Sequence, residues 1–87
     1  MEETFLLEVA TPERRLVCEQ ASEAQIPAAN GYVGILPGHA ALLAELGAGA
    51  LTYTAAGQHR ALTVSGGWLE VASDHVRVLA DSAEEAG

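Results

Sequence analysis

The sequence predicts an all-β fold of the sandwich or barrel kind, and three observations carry that expectation. Short runs alternate with period two, the first setting Phe5, Leu7 and Val9 against Leu6, Glu8 and Ala10. Turn-forming residues recur at close, regular spacing, at Thr11-Pro12, Asn30-Gly31, Pro37-Gly38, Ala56-Gly57 and Ser73-Asp74. The segment richest in helix formers, residues 39–46, lies between Gly38 and Gly47 and has room for two turns at most.

The elements follow in order. After the first strand, Thr11-Pro12-Glu13-Arg14 makes a turn, with Pro12 suited to its first corner. Leu16 and Val17 stand side by side, so both faces of the second strand carry an apolar residue. Ala21, Glu23, Ala24 and Gln25 are good helix formers, and a helix competes locally there. Pro27 and the neighbouring strands favour an extended edge instead. Asn30-Gly31 is a hairpin signal, and the run that it opens carries Gly31, Gly34, Pro37 and Gly38 in an otherwise apolar stretch. That run reads as a strand that bulges, turns at Pro37-Gly38 and feeds a buried apolar segment. Leu51 and Tyr53, then Leu62 and Val64, form the arms of a hairpin around residues 55–58. Ser65-Gly66-Gly67 interrupts the ladder, after which Trp68, Glu70 and Ala72 oppose Leu69 and Val71. Val76, Val78 and Ala80 close the pattern. Gly34, Pro37, Gly38, Gly66 and Gly67 are thus expected to be structural, the glycines adopting backbone conformations that side chains disfavour. One domain spans residues 1–81, and residues 82–87 form a short acidic tail.

Composition excludes several function classes. The chain has 87 residues, 49% of them hydrophobic but only 5% aromatic, so part of its apolar surface is expected to be covered by a partner. Four basic residues in a net charge of −8 cannot neutralise many phosphates, which argues against nucleic acid and against anionic lipid. No apolar run reaches membrane-spanning length, so direct lipid insertion is not expected. The lone Cys18 excludes an internal disulfide and is expected to be a buried, inert thiol.

No catalytic constellation is expected either. His39 is the natural candidate for proton transfer or metal ligation, but a structural role beside the Pro37-Gly38 turn is favoured. His59 and His75 fall in expected hairpin turns. Cupin-type barrels bind metal through a His-x-His pair, a downstream Glu and a later His. Here Ala40 and Ala41 follow His39, so Glu45 lacks a full ligand set to join. A small metal- or ligand-binding barrel using His39 and Glu45 remains the alternative, with His59 or His75 as a further ligand. No cofactor and no metal are expected. Tyr32, between Gly31 and Gly34, is expected to be exposed. Trp68 is expected either to cap the core or to join a docking face.

The run Gly31-Tyr32-Val33-Gly34-Ile35-Leu36-Pro37-Gly38-His39-Ala40 resembles the G-x-x-G-x-x-P-G-H-A signature of the rotary ATP synthase epsilon subunit. Residues 5–13, 64–71 and 76–81 resemble three further segments of that family in order and spacing. The resemblance implies a flattened ten-stranded β-sandwich, with residues 39–46 extended. It implies a non-catalytic rotor subunit that joins the gamma subunit to the membrane c-ring, peripheral on the cytoplasmic face of an energy-transducing inner membrane. By position, Ala28, Ala29, Asn30, Gly31 and Tyr32 would face the c-ring, and Thr11, His39, Leu42 and Leu43 would face gamma. Most members continue into an inhibitory helical hairpin that in some binds ATP. Residues 82–87 are too few for it, so the resemblance implies coupling without that inhibition.

Overall fold

The computed structural model describes residues 3–85, and in them every regular element is a strand. The eight strands are β1 (Phe5–Ala10), β2 (Arg15–Ala21), β3 (Glu23–Ala28), β4 (Gly31–Ile35), β5 (Leu42–Glu45), β6 (Ala48–Ala55), β7 (Gln58–Ala72) and β8 (His75–Glu85). They form one sheet in the order β2-β1-β8-β7-β6-β3-β4, with β5 also pairing β7. No helix forms over residues 39–46; Leu42–Glu45 are the strand β5 and Leu46 bridges to Ala28, while residues 39–41 lead into the strand from the turn.

The length of β7 explains why that sheet becomes a sandwich. The fourteen steps of a straight fifteen-residue strand would span about 46 Å at ~3.3 Å each. The longest dimension of the molecule is 34 Å. The strand therefore bends, and it does so at Gly66-Gly67, with φ of 70° and 113°. The ladder to β8 skips there too, passing from Ser65↔Ser82 to Gly67↔Ala80. A Cβ on Gly67 would overlap the carbonyl oxygen of Leu79 and lie 3.0 Å from the Cα of Ala80, so only glycine fits the bend.

Beyond the bend, both long strands change layers. Layer I is β2-β1-β8-β5 with the C-terminal part of β7 between β8 and β5; layer II holds the N-terminal part of β7, the end of β8, and β6-β3-β4. Eight continuous strands thus make five segments in each layer, which reconciles the ten strands implied by the resemblance with the eight seen. Between the layers lie Phe5, Leu7, Ile26, Ile35, Leu51, Leu62 and Leu69, all fully buried. The sequence alternation set out Phe5, Leu7, Leu51, Leu62 and Leu69, to which the fold adds Ile26 and Ile35, and their removal from water is the main stabilising term.

Tight turns join the strands. Ala56-Gly57 and Ser73-Asp74 have positive φ at both positions, the type I′ geometry whose twist matches a hairpin. Leu36-Pro37-Gly38-His39 closes with the His39 amide donating to the Leu36 carbonyl at 3.1 Å, and Gly38 has φ of 83°, as a type II turn requires. Pro27 is tolerated because the β3–β6 ladder ends at Gln25↔Thr52, before the missing donor.

Four expectations are corrected. Ser82–Glu85 is no tail, for β8 continues through it and pairs with β7 out to Leu62↔Glu85. Residues 86 and 87 lie outside the described residues. Gly34 does not have a positive φ, and a Cβ there would meet only the end of the Gln25 side chain, at 3.1 Å. Cys18 is exposed: β2 turns Val17 inward and Cys18 outward, opposite Glu8. The segment after Pro37-Gly38 is only half-buried, because β5 is an edge strand with Leu43 facing out.

Candidate functional site

The β3–β4 hairpin brings Ala28, Ala29, Asn30, Gly31 and Tyr32 together at one end of the sandwich. The Ala28↔Gly31 pair leaves Ala29-Asn30 as a two-residue loop. That loop is braced from behind, since the Ala29 amide donates to the Glu45 carbonyl (2.9 Å) and the Gly47 amide to the Pro27 carbonyl (2.8 Å). Tyr32 is 58% exposed, as expected, but it does not wave from a tip. Its phenol oxygen accepts a hydrogen bond from the Ala50 amide at 3.1 Å, which fixes the ring beside Pro27 and Gly49. A shallow cavity of about 490 Å³ lies between this hairpin and Leu43, Ala44 and Glu45 of β5.

The second expected set does not form one patch. Thr11 closes the β1–β2 turn, its Oγ1 accepting from the amides of Glu13 and Arg14, each at 3.3 Å. It sits at the Ala10–Leu79 end of layer I, whereas His39 sits at the opposite end, where the Gly38 amide donates to Asp74 at 2.7 Å. The His39 ring turns back on its own turn, with Nδ1 2.7 Å from the Ala40 carbonyl oxygen. Leu42 packs partly into the core, and Leu43 points out, 69% exposed.

The metal-binding alternative finds no assembled ligand set. His39 closes the turn onto Leu36, three residues before β5, whereas Glu45 is the last residue of β5, paired with Trp68, so the length of the strand separates them. Thr54 donates its hydroxyl proton to Glu23 (2.7 Å), so its oxygen accepts from Nδ1 of His59 (2.9 Å). His75 is bonded through Nε2 to Glu8. Among the described residues no three His, Cys, Asp or Glu side chains converge on a metal position.

Two polar networks were not foreseen. Glu8, half-buried on the outer face of layer I, meets His75 and, at 3.4 Å, Arg15. The hydrogen bond from His75 chiefly holds its carboxyl below the ordinary glutamate value; burial opposes this, and the charges of Arg15, His75 and Arg77 assist it. At the far end, Tyr53 reaches from layer II to layer I and donates to Glu19 at 2.9 Å. Burial and that carboxylate push its phenol up to about 12. In sequence these partners lie 67 and 34 positions apart, so only the fold joins them.

Comparison with known proteins agrees with this geometry. A family model described as the ATP synthase delta/epsilon chain β-sandwich domain matches residues 4–86. A relative from Solibacter usitatus called ATP synthase epsilon chain is 63% identical over 86 residues, 99% of this chain and 64% of that protein. One of the same description from Koribacter versatilis is 45% identical over 84 residues, 97% of this chain and 59% of its own length. The chain thus spans about three fifths of these relatives. A chain in the Euglena gracilis mitochondrial ATP synthase assembly of OSCP, F1 and c-ring shares the fold, with a TM-score of 0.86 at 22% identity. That match covers 94% of this chain and 53% of the other.

Proposed function

The chain belongs to the ATP synthase delta/epsilon-chain β-sandwich family, and from that premise we propose that it is a non-catalytic coupling subunit of a rotary ATP synthase. In this reading it joins gamma to the c-ring so that proton flow and ATP synthesis stay linked, and it is peripheral to the membrane. The observation that carries the reading is the braced β3–β4 hairpin. Its loop is short, its backbone is tied to β5 and β6, and Tyr32 is locked to Ala50, so it presents a rigid end rather than a mobile one. A rigid end is what a part transmitting torque to a ring needs. The family match supports the reading, as do the central-stalk and c-ring assembly of Tetrahymena thermophila, which contains a chain of the same fold (TM-score 0.79), and the epsilon-chain relatives.

In this reading Ala28, Ala29, Asn30, Gly31 and Tyr32 face the ring, and Leu43, with Leu42 beneath it, lies on the gamma side. Thr11 and His39 mark the two ends of the gamma-facing layer. No helix of the described residues is long and apolar enough to cross a membrane, which suits a peripheral part. The test is reconstitution of an epsilon-depleted enzyme. Restored ATP-driven proton pumping on adding the chain supports the proposal. Failure to bind either gamma or the detergent-solubilised c-ring overturns it.

A further inference from the structure

Two layers leave four strand edges open, and three of them are guarded. β2 carries Arg15 and Glu19 and has a bulge in its ladder to β1. β5 is four residues long and ends in Glu45, and the terminal part of β8 carries Glu84 and Glu85. The fourth edge is β4, at the end of the strand order in layer II. Its five residues include no charge and no proline, and its ladder to β3 runs without a bulge. Register shows which backbone groups this edge leaves open. The Pro27 carbonyl accepts from the Gly47 amide, away from β4, so Pro27↔Tyr32 is a pair without mutual backbone bonds. Gln25↔Gly34, two residues on, is a pair of the same kind. The amides and carbonyls of Tyr32 and Gly34 therefore point away from β3 into open space, and both residues are exposed. Neither side chain covers that edge: the Tyr32 ring leans across Pro27 to the Ala50 amide, and Gly34 has none.

An edge of this kind accepts a strand, and the spacing of its open groups says which. Tyr32 and Gly34 flank Val33, so β4 is complementary to itself. Set antiparallel about Val33, Tyr32 faces Gly34 of the second copy and Gly34 faces its Tyr32. Each pair exchanges two backbone hydrogen bonds, and every open group of β4 finds a partner. Val33, half-buried against the core, then meets Val33 of the second copy in a close pair of β-branched side chains. We propose that β4 is a self-association edge, at which a second copy of this chain extends layer II across a twofold axis through Val33. The contact is the same patch on both copies, so it closes at a dimer. The edge carries no charge with which to select an acidic or basic partner strand. Pairing also covers the backbone of the hairpin that carries Tyr32, so a dimer withholds that end from the ring. That consequence, unlike the pairing, rests on the function proposed above.

Sedimentation equilibrium of the full chain from about 10 μM to about 1 mM should show the mass rising from 9.0 kDa toward twice that value. Each copy carries a net charge of −8, so added salt should strengthen the association. Hydrogen exchange at the Tyr32 and Gly34 amides should slow as concentration rises, while the amides of β2 and β5 keep their rates. Gly34→Pro removes an open donor without touching the ladder to β3, and Gly34→Glu sets two like charges beside the axis. Each should weaken the dimer by about tenfold or more, with Gly34→Glu melting near wild type. A chain that stays monomeric across the range, with Tyr32 and Gly34 exchange independent of concentration, overturns the proposal. So does a dimer indifferent to both substitutions, one whose slowed amides fall on β2 or β5, or growth beyond two copies. Each of those results leaves the coupling function standing, since reconstitution tests that separately.

Discussion

Replacing Gly67 tests the account of how one sheet becomes two layers. Its φ of 113° is a conformation that side chains rarely adopt, and a Cβ would strike the backbone of Leu79 and Ala80 rather than a side chain able to move. The strained conformation costs about 1–3 kcal/mol and the forced displacement about 1–3 kcal/mol more. A loss of about 3–5 kcal/mol is therefore expected for Gly67→Ala. A domain of 87 residues holds roughly 4–13 kcal/mol in all, so this variant should be marginal. Guanidinium unfolding followed by Trp68 fluorescence measures the loss, and a melting temperature lower by about 15 °C or more should accompany it. Gly34→Ala is the control: its backbone is unstrained and its only close neighbour is the flexible end of Gln25, so the change should stay within about 1 kcal/mol. Gly67→Ala within 1 kcal/mol of wild type, or Gly34→Ala the worse of the two, would refute the reasoning.

The Tyr53 phenol is raised to about 12, so its neutral form is favoured in the fold. That contribution is complete below pH 10 and lost as pH rises through 12; a Tyr53→Phe variant should show a shallower alkaline decline than wild type in melting scans. Glu8 behaves oppositely: its lowered pKa adds stability above the ordinary carboxylate range that is lost as pH falls through the depressed value. A carboxyl NMR titration should find its midpoint below that of a free glutamate, and His75→Gln should move it upward. Tyr32→Phe removes the acceptor of the Ala50 amide, so hydrogen exchange at Ala50 should quicken, with a stability loss of about 0.5–1.5 kcal/mol.

Much of the fold was legible because its core obeys a local rule. Phe5, Leu7 and Val9, and later Val76, Val78 and Ala80, alternate in sequence and are buried in the structure. The turns were legible in part: Pro37-Gly38 carries its geometry in its residue types, whereas at Ala56-Gly57 only the glycine does, Ala56 being held at a φ of 52° that alanine disfavours. What escaped is whatever tertiary pairing alone decides. Ser82–Glu85 has no strand signature of its own and is extended because β7 offers it a partner. Cys18 was misplaced because outward and inward on β2 depend on register with Glu8, not on the preference of cysteine for burial. For the site, the hairpin residues were named correctly as neighbours, but the brace on Tyr32 comes from Ala50, across β3. Thr11 and His39 are both on layer I yet at opposite ends, a distance that sequence spacing does not encode. Trp68 did leave a signal: it shares the polar alternation of Glu70 and Ala72, which is where an exposed ring belongs.

The backbone passes between the layers at Ser22, along the β4–β5 connection through Pro37-Gly38, at Leu46-Gly47, and at the adjoining bends of β7 and β8. An ordinary sandwich resists sliding of one sheet over the other only through side-chain friction in the core. Here such a shear would stretch main-chain bonds at several stitches spread around the perimeter. A load applied to the face that carries Trp68 therefore reaches the hairpin that carries Tyr32 along covalent chain, through β7 and β5 and the hydrogen bonds that anchor Ala29 and Gly47. Resistance to sliding of the layers therefore comes from how the chain is threaded, independently of how well its interior is filled.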